Sequence, residues 1–264
     1  MTTLPKINRR AWLATWAQQR RRRRLAVPTP VGDSELLAGL LGYWNLDEVA
    51  GDAVDATGLT GAFTSVGAGT VVGGGTHGQN ARQTADDPAA YFTMGDQAAF
   101  HALPLTLNLW FNMTPEPASD WYPLWSKDDY LLPDRGIFCA VGTGGGGVIQ
   151  GYVLDGNLGY PVANEETNLA PLVPGQWYML TMVIEAAGFT LYLDAEFYTA
   201  LACAPDLSSL NSFQLAARRK DSEATTDGGL PALLENFGLW NAALTPVQIA
   251  QLYNGGLGLN YYEL

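Results

Sequence analysis

The stretch PLTLNLWFNM at residues 104–113 decides the fold. Leu105, Leu107, Leu109, Phe111 and Met113 alternate with Thr106, Asn108, Trp110 and Asn112, and successive side chains of a β-strand point to opposite faces. A period of two over nine residues predicts a strand with one face in a core. Working outward, LGYWNL at 41–46, YFTM at 91–94, GIFCAV at 136–141, VIQGYVL at 148–154, SFQLA at 212–216 and LLENFGLW at 233–240 read as further short strands. Between YMLTMVIE and FTLYLD, Ala186-Ala187-Gly188 has the length and the glycine of a three-residue hairpin.

One segment asks firmly to be helical. Thr245-Pro246-Val247-Gln248 forms a capping box with proline at the first helical position, flanked by Leu244 and Ile249 as a hydrophobic staple. Gly255 would end the helix, and Ile249, Leu252 and Tyr253 would pack one face against a sheet edge. Many antiparallel strands, one short helix near the end, and 30 glycines with 15 prolines between runs predict an all-β, two-sheet antiparallel sandwich or jelly roll.

The 264 residues are 47% hydrophobic and 15% charged, a globular composition that excludes a disordered or collagen-like chain. Charge is partitioned sharply. Lys6, Arg9, Arg10 and Arg20, Arg21, Arg22, Arg23 and Arg24 place eight of fourteen bases in the first thirty residues, where no acid occurs. The remainder has six bases against 26 acids, a net charge of −20. We therefore divide the chain into a basic arm, 1–30, and one domain, 31–264. Within the arm, Trp12, Leu13 and Trp16 would share one side of a helix over 9–24, which Pro28 and Pro30 would end. The arm reads either as a tail with chance aromatics or as an anchor that orders on a partner. Arg9-Arg10 precede an apolar stretch too short and interrupted for an export signal. No apolar run approaches the roughly 20 residues of a spanning helix.

Catalytic and metal signals are weak. The adjacent acid pairs Asp47-Glu48, Asp128-Asp129 and Glu165-Glu166 would project to opposite faces of a strand, unlike the spaced array of a glycanase. His77 and His101 lack zinc-like partners, and Cys139 and Cys203 allow at most one bridge. Gly73–Gly78 and Gly142–Gly147 match a dinucleotide glycine pattern by spacing, but no helical pattern follows either. Asp155-Gly156-Asn157 lacks the remaining acids of a calcium loop. The one cluster with sugar-binding chemistry is SDWYPLWSKDDY at 119–130. There Trp121, Tyr122, Trp125 and Tyr130 could stack on a pyranose while Asp128 holds hydroxyls. Core packing is the competing role for these aromatics.

Four blocks carry a family resemblance: GYWNLDEVAGDAVDATG at 42–58, LTLNLWFNM at 105–113, the hairpin from Trp177 to Asp194, and LLENFGLWNAALTPVQIAQLYNGG at 233–256. Together they resemble LamG-like, or concanavalin A-like lectin/glucanase, jelly rolls. Ala195 stands where relatives usually have glycine, and Glu235-Asn236 where they often have Asp-Glu. Some relatives bind calcium or glycans, but no ligand set transfers. No cofactor is expected, and calcium has no specific motif in this chain. The resemblance, with the arm and the missing export signal, implies a non-catalytic virion structural protein of a tailed bacteriophage. It would be made in the host cytoplasm and serve as a capsid decoration, fibre or tail appendage. Its arm would dock on other virion proteins in a multi-copy or homo-oligomeric assembly, and its lectin-like domain would be displayed toward host glycans. The acidic domain would repel nucleic acid. Two other classes remain open: a secreted or surface carbohydrate-binding module, and a glycoside hydrolase.

Overall fold

A computed structural model describes residues 34–67, 70–76, 80–85, 90–113, 121–129, 135–142, 148–155, 172–220 and 225–264. The arm, 1–30, lies outside them. The larger sheet has eight strands. They are β1 (Leu40–Trp44), β3 (Thr70–Gly73), β4 (Asn80–Gln83), β6 (Leu105–Met113), β10 (Trp177–Glu185), β11 (Gly188–Leu193), β12 (Glu196–Ala202) and β16 (Ala232–Trp240). Their order is β12-β11-β10-β6-β16-β4-β3, with β1 also paired to β16. The second sheet runs β2 (Thr64–Val66), β5 (Tyr91–Met94), β13 (Phe213–Leu215), β7 (Trp121–Asp129), β8 (Arg135–Gly142) and β9 (Val148–Asp155). A separate hairpin joins β14 (Ala217–Lys220) to β15 (Thr225–Gly229). The two main sheets stack as the expected antiparallel jelly-roll sandwich.

The alternation in β6 explains the stacking. Leu105, Leu107, Leu109, Phe111 and Met113 enter the core between the sheets with Tyr178, Leu180, Met182 and Ile184 of β10. From the opposite sheet come Ile137, Cys139 and Val141. Phe63 packs edge-on to Trp44 at 4.9 Å and also meets Phe213 and Phe237. Cys139 and Cys203 are free thiols, the first of them buried.

The other face of β6 is not solvated: all nine of its residues are buried. A second apolar cluster covers this outer face. It joins Tyr43, Trp110, Met179, Val183 and Trp240 to Leu36, Leu244, Ile249, Leu252 and Leu264. Two helices supply the cover, α1 (Ser34–Leu37) and α2 (Pro246–Tyr253). The capping box of α2 forms as its sequence predicts, with Thr245 and Gln248 satisfying each other's backbone N–H groups. The helix lies on the sheet face, however, and not at its edge. Trp110 explains the difference, because its indole stacks parallel to Tyr253 at 5.7 Å. Trp240 fixes α1 by donating to the Leu36 carbonyl at 2.7 Å. The helix stop is Asn254, in the left-handed region at φ 46°, with Gly255 following it.

The first of two tight turns departs from expectation. Glu185 pairs with Gly188, so the β10–β11 loop has two residues, and Gly188 opens β11. A Cβ there would lie 2.0 Å from the Leu201 carbonyl oxygen on β12, which is why glycine is needed. Asp194 and Ala195 both adopt positive φ, 52° and 63°, in the next tight turn. Ala195 therefore bears the left-handed strain that glycine would avoid.

Ala195→Gly is expected to raise stability by about 0.5–1 kcal/mol in urea unfolding, the relief of strain exceeding the added chain entropy. Ile249→Ala, which empties a fully buried site under α2, should cost about 2–4 kcal/mol. Val247→Ala, on the exposed side of the same helix, should change stability by under about 0.5 kcal/mol.

Candidate functional site

The sheet divides the aromatic and acidic cluster at 119–130. Tyr122 and Trp125 are completely buried in the inter-sheet core, together with Leu124. A bulge between Pro123 and Trp125 explains how two consecutive residues, Leu124 and Trp125, both turn inward. A sugar needs an exposed ring face, so Tyr122 and Trp125 are packing residues and not a stacking platform. Trp121 begins β7, but its side chain and all of Tyr130 lie outside the described residues. Asp128 points to the opposite face and is also buried. The Arg218 Nε donates to its Oδ2 at 2.9 Å, and the guanidinium sits 4.4 Å from the centre of the Phe138 ring. That contact pins β14 over the outer face of β7 and β8.

Three other polar clusters hold loops at the ends of the sandwich. Asp55 is buried in the 55–61 turn and accepts from the backbone N–H groups of Tyr43, Thr57, Thr60 and Gly61 and from the Thr57 hydroxyl. Burial pushes its carboxyl toward neutrality, but these donors outweigh burial and hold it below the ordinary aspartate range. Asp96 Oδ1 lies 2.8 Å from both Lys127 Nζ and His101 Nε2. Lys127 is itself buried and also donates to the Ser209 carbonyl. Burial again opposes ionisation of Asp96, and the hydrogen bonds and charges of Lys127 and His101 prevail and lower its pKa. Asp206 is lowered chiefly by the Ser208 hydroxyl, assisted by the Ser208 N–H and Arg135.

At the third cluster, β16 bulges between Glu235 and Gly238. Asn236 takes φ 52°, which asparagine tolerates, and donates its N–H to the Asn45 carbonyl. Glu235 is buried and accepts from the Thr76 N–H at 2.7 Å and the Thr76 hydroxyl at 2.9 Å. Glu235 thus clamps the loop after β3 onto the large sheet, and Asn236 ties β16 to the segment after β1. Beside them stands Trp177, half-buried, its indole N–H donating to the Gly74 carbonyl at 3.1 Å. Directly across the β10–β6 pairing from Trp177 is Asn112. The sequence places Trp177 at the head of a hairpin and Asn112 on the outer face of β6, but their meeting depends on strand register that no local pattern encodes. Among the described residues, no three His, Cys, Asp or Glu side chains form a metal-binding group, and no helix is long and apolar enough to cross a membrane.

A family model for the concanavalin A-like lectin/glucanases superfamily matches residues 86–250. No curated protein matches the sequence. Among solved structures, domain 4 of AbnA, a GH43 extracellular arabinanase from Geobacillus stearothermophilus, in complex with arabinotriose, aligns with a TM-score of 0.59 at 16% identity. The alignment covers 84% of this chain and 99% of that one. Trypanosoma rangeli sialidase in complex with sialic acid aligns at 0.61 and 13% identity, over 95% of this chain and 39% of the sialidase. The binding domain of Paraclostridial Mosquitocidal Protein 1 aligns at 0.58 and 12% identity, over 83% of this chain and 52% of that one. At these identities the likeness is one of fold.

The lowered carboxyls set an acid limb to stability. A depressed folded pKa stabilises above the unfolded value, about 4, and that stability is lost as pH falls through the folded value. The unfolding midpoint should therefore drop as pH is lowered from about 5 to 2. Asp55→Asn should cost about 1–3 kcal/mol at neutral pH and flatten that drop, as read by urea unfolding across pH.

Proposed function

The chain belongs to the concanavalin A-like lectin/glucanase superfamily, and from that premise we propose that it is a non-catalytic display protein whose lectin-like domain binds carbohydrate. In this reading it is a structural component of a tailed-bacteriophage virion, a capsid decoration, fibre or tail appendage, docked through residues 1–30. The observation that carries the proposal is the partition of charge, eight bases and no acid in the arm against a net −20 beyond it. A cationic segment with Trp12, Leu13 and Trp16 has the aromatic and arginine anchors that dominate protein interfaces, and its arginines suit carboxylates on the receiving surface. The acidic domain opposes attachment to a phosphate backbone.

The non-catalytic part of the proposal draws support from how the buried acids are used. Asp55, Asp128 and Glu235 each hold a turn, a hairpin or a loop in place. A carboxylate committed in this way is poorly placed to exchange protons with a substrate. A second reading, a secreted or surface carbohydrate-binding module, is favoured by one observation: the fold match spans 99% of the arabinanase domain.

Replacing Arg20, Arg21, Arg22, Arg23 and Arg24 with glutamine and Trp12 and Trp16 with alanine in the full chain should leave the domain folded. Co-sedimentation with the native particle should fall to background, and docking of the unaltered chain should weaken as salt rises from about 0.1 to 1 M. Undiminished co-sedimentation of the substituted chain would refute the arm's role.

A further inference from the structure

At the margin of the second apolar cluster, against which Trp177 packs, one row of side chains crosses four neighbouring strands on the outer face of the large sheet. Trp177 of β10 pairs with Asn112 of β6, Asn112 with Leu233 of β16, and Leu233 with Gln83 of β4. All four face outward, because the next residues on their strands turn the other way. Tyr178, Phe111 and Leu234 enter the inter-sheet core, and Arg82 lies inward over the Phe92 ring. At roughly 4.8 Å per strand the row is about 14 Å long, the scale of a short oligosaccharide.

The row is partly open, and it holds one unmet polar demand. Trp177, Leu233 and Gln83 are partly exposed, while Asn112 is only 8% exposed and its Oδ1 is buried without a hydrogen-bond partner. Leaving a buried amide oxygen unpaired costs about 1–3 kcal/mol, so a donor supplied from outside would be favoured there. The bond from the Trp177 indole to Gly74 sets the ring's orientation in advance. Among the described residues, an added Cβ at Gly73 or Gly74 would meet no atom within 4 Å, so these two positions leave room beside the row.

We propose that this row binds a neutral oligosaccharide, with the Trp177 indole against the apolar face of a sugar ring. The Asn112 amide turns outward so that its Oδ1 accepts from a hydroxyl of the sugar, and Leu233 and Gln83 extend the contact along the chain of sugars. The proposal rests on the carbohydrate-binding reading above and gives that reading a location. Neutrality follows from charge: Glu235 lies in the adjacent row, and the surrounding domain carries about −20, so a carboxylated sugar would be repelled.

The test uses the full chain labelled with nitrogen-15, titrated with arabinotriose, cellotriose, maltotriose and chitotriose, and separately with 3′-sialyllactose. At least one neutral trisaccharide should shift the Trp177 indole N–H resonance saturably at millimolar concentration, and sialyllactose should not. Asn112→Ala should weaken that binding about tenfold, the loss of one hydrogen bond to a buried acceptor. Gln83→Ala serves as a second variant should Asn112→Ala fail to fold, with weakening of severalfold expected. Binding that leaves the Trp177 resonance unmoved and survives both substitutions would overturn the location while leaving carbohydrate binding intact. Saturable binding of sialyllactose at Trp177 would overturn the neutral preference, and silence toward every trisaccharide would overturn the site. Arm docking is read separately by particle co-sedimentation, so failure of one result does not imply failure of the other.

Discussion

Burial of β6 on both faces ties the molecule together. Its leucines and Phe111 join the two sheets, while Trp110, on the reverse side, receives Tyr253 of α2. A strand that must satisfy two apolar layers leaves little freedom in register, because a slip by one residue would exchange every side chain between them. The positions of β10 and β16 follow by pairing, and with them Trp177, Leu233 and Glu235. The outer row therefore owes its alignment to a core constraint several residues away. The row lies at the margin of the cluster that α2 covers, with Trp177 packed against it and Leu233 and Gln83 partly exposed.

The charged groups serve a complementary purpose. Asp55, Asp96 with Lys127, Asp128 with Arg218, and Glu235 with Thr76 fasten loops and a hairpin to the sandwich. Each has partners that compensate for the loss of water, which is the condition for burying such groups. Among the described residues, carboxylates used in this way stiffen the sandwich and its loops. Asn108, Asn112 and Gln214 each keep a buried amide oxygen without a partner, against the usual pattern, and of the three Asn112 lies in the partly open outer row.

The strands, the sandwich class and the capping box were legible in the sequence because their signals are local: alternation, turn residues and a four-residue cap. Placement was less so. The face of α2 was readable, but whether it lay on a sheet face or an edge depended on Trp110 and Tyr43, far away in the chain. At 119–130 the aromatics suited core packing more than sugar, and the bulge that buries both Leu124 and Trp125 has no local signature beyond Pro123. Ala195 is a different case. Its departure from the usual glycine was legible, and the turn holds it at φ 63° all the same. The row from Trp177 to Gln83 could not be assembled from sequence, because it draws one residue from each of four strands and depends on three nonlocal registers.

The central claim is that one end of the chain grips an assembly while the sandwich stands outward with its outer row open to ligand. An image of the native particle at side-chain resolution tests this most directly. The account predicts Trp12 and Trp16 seated in a neighbouring subunit, with Trp177 facing solvent. A sandwich enclosed by neighbours, with the arm extended into solvent, would contradict it.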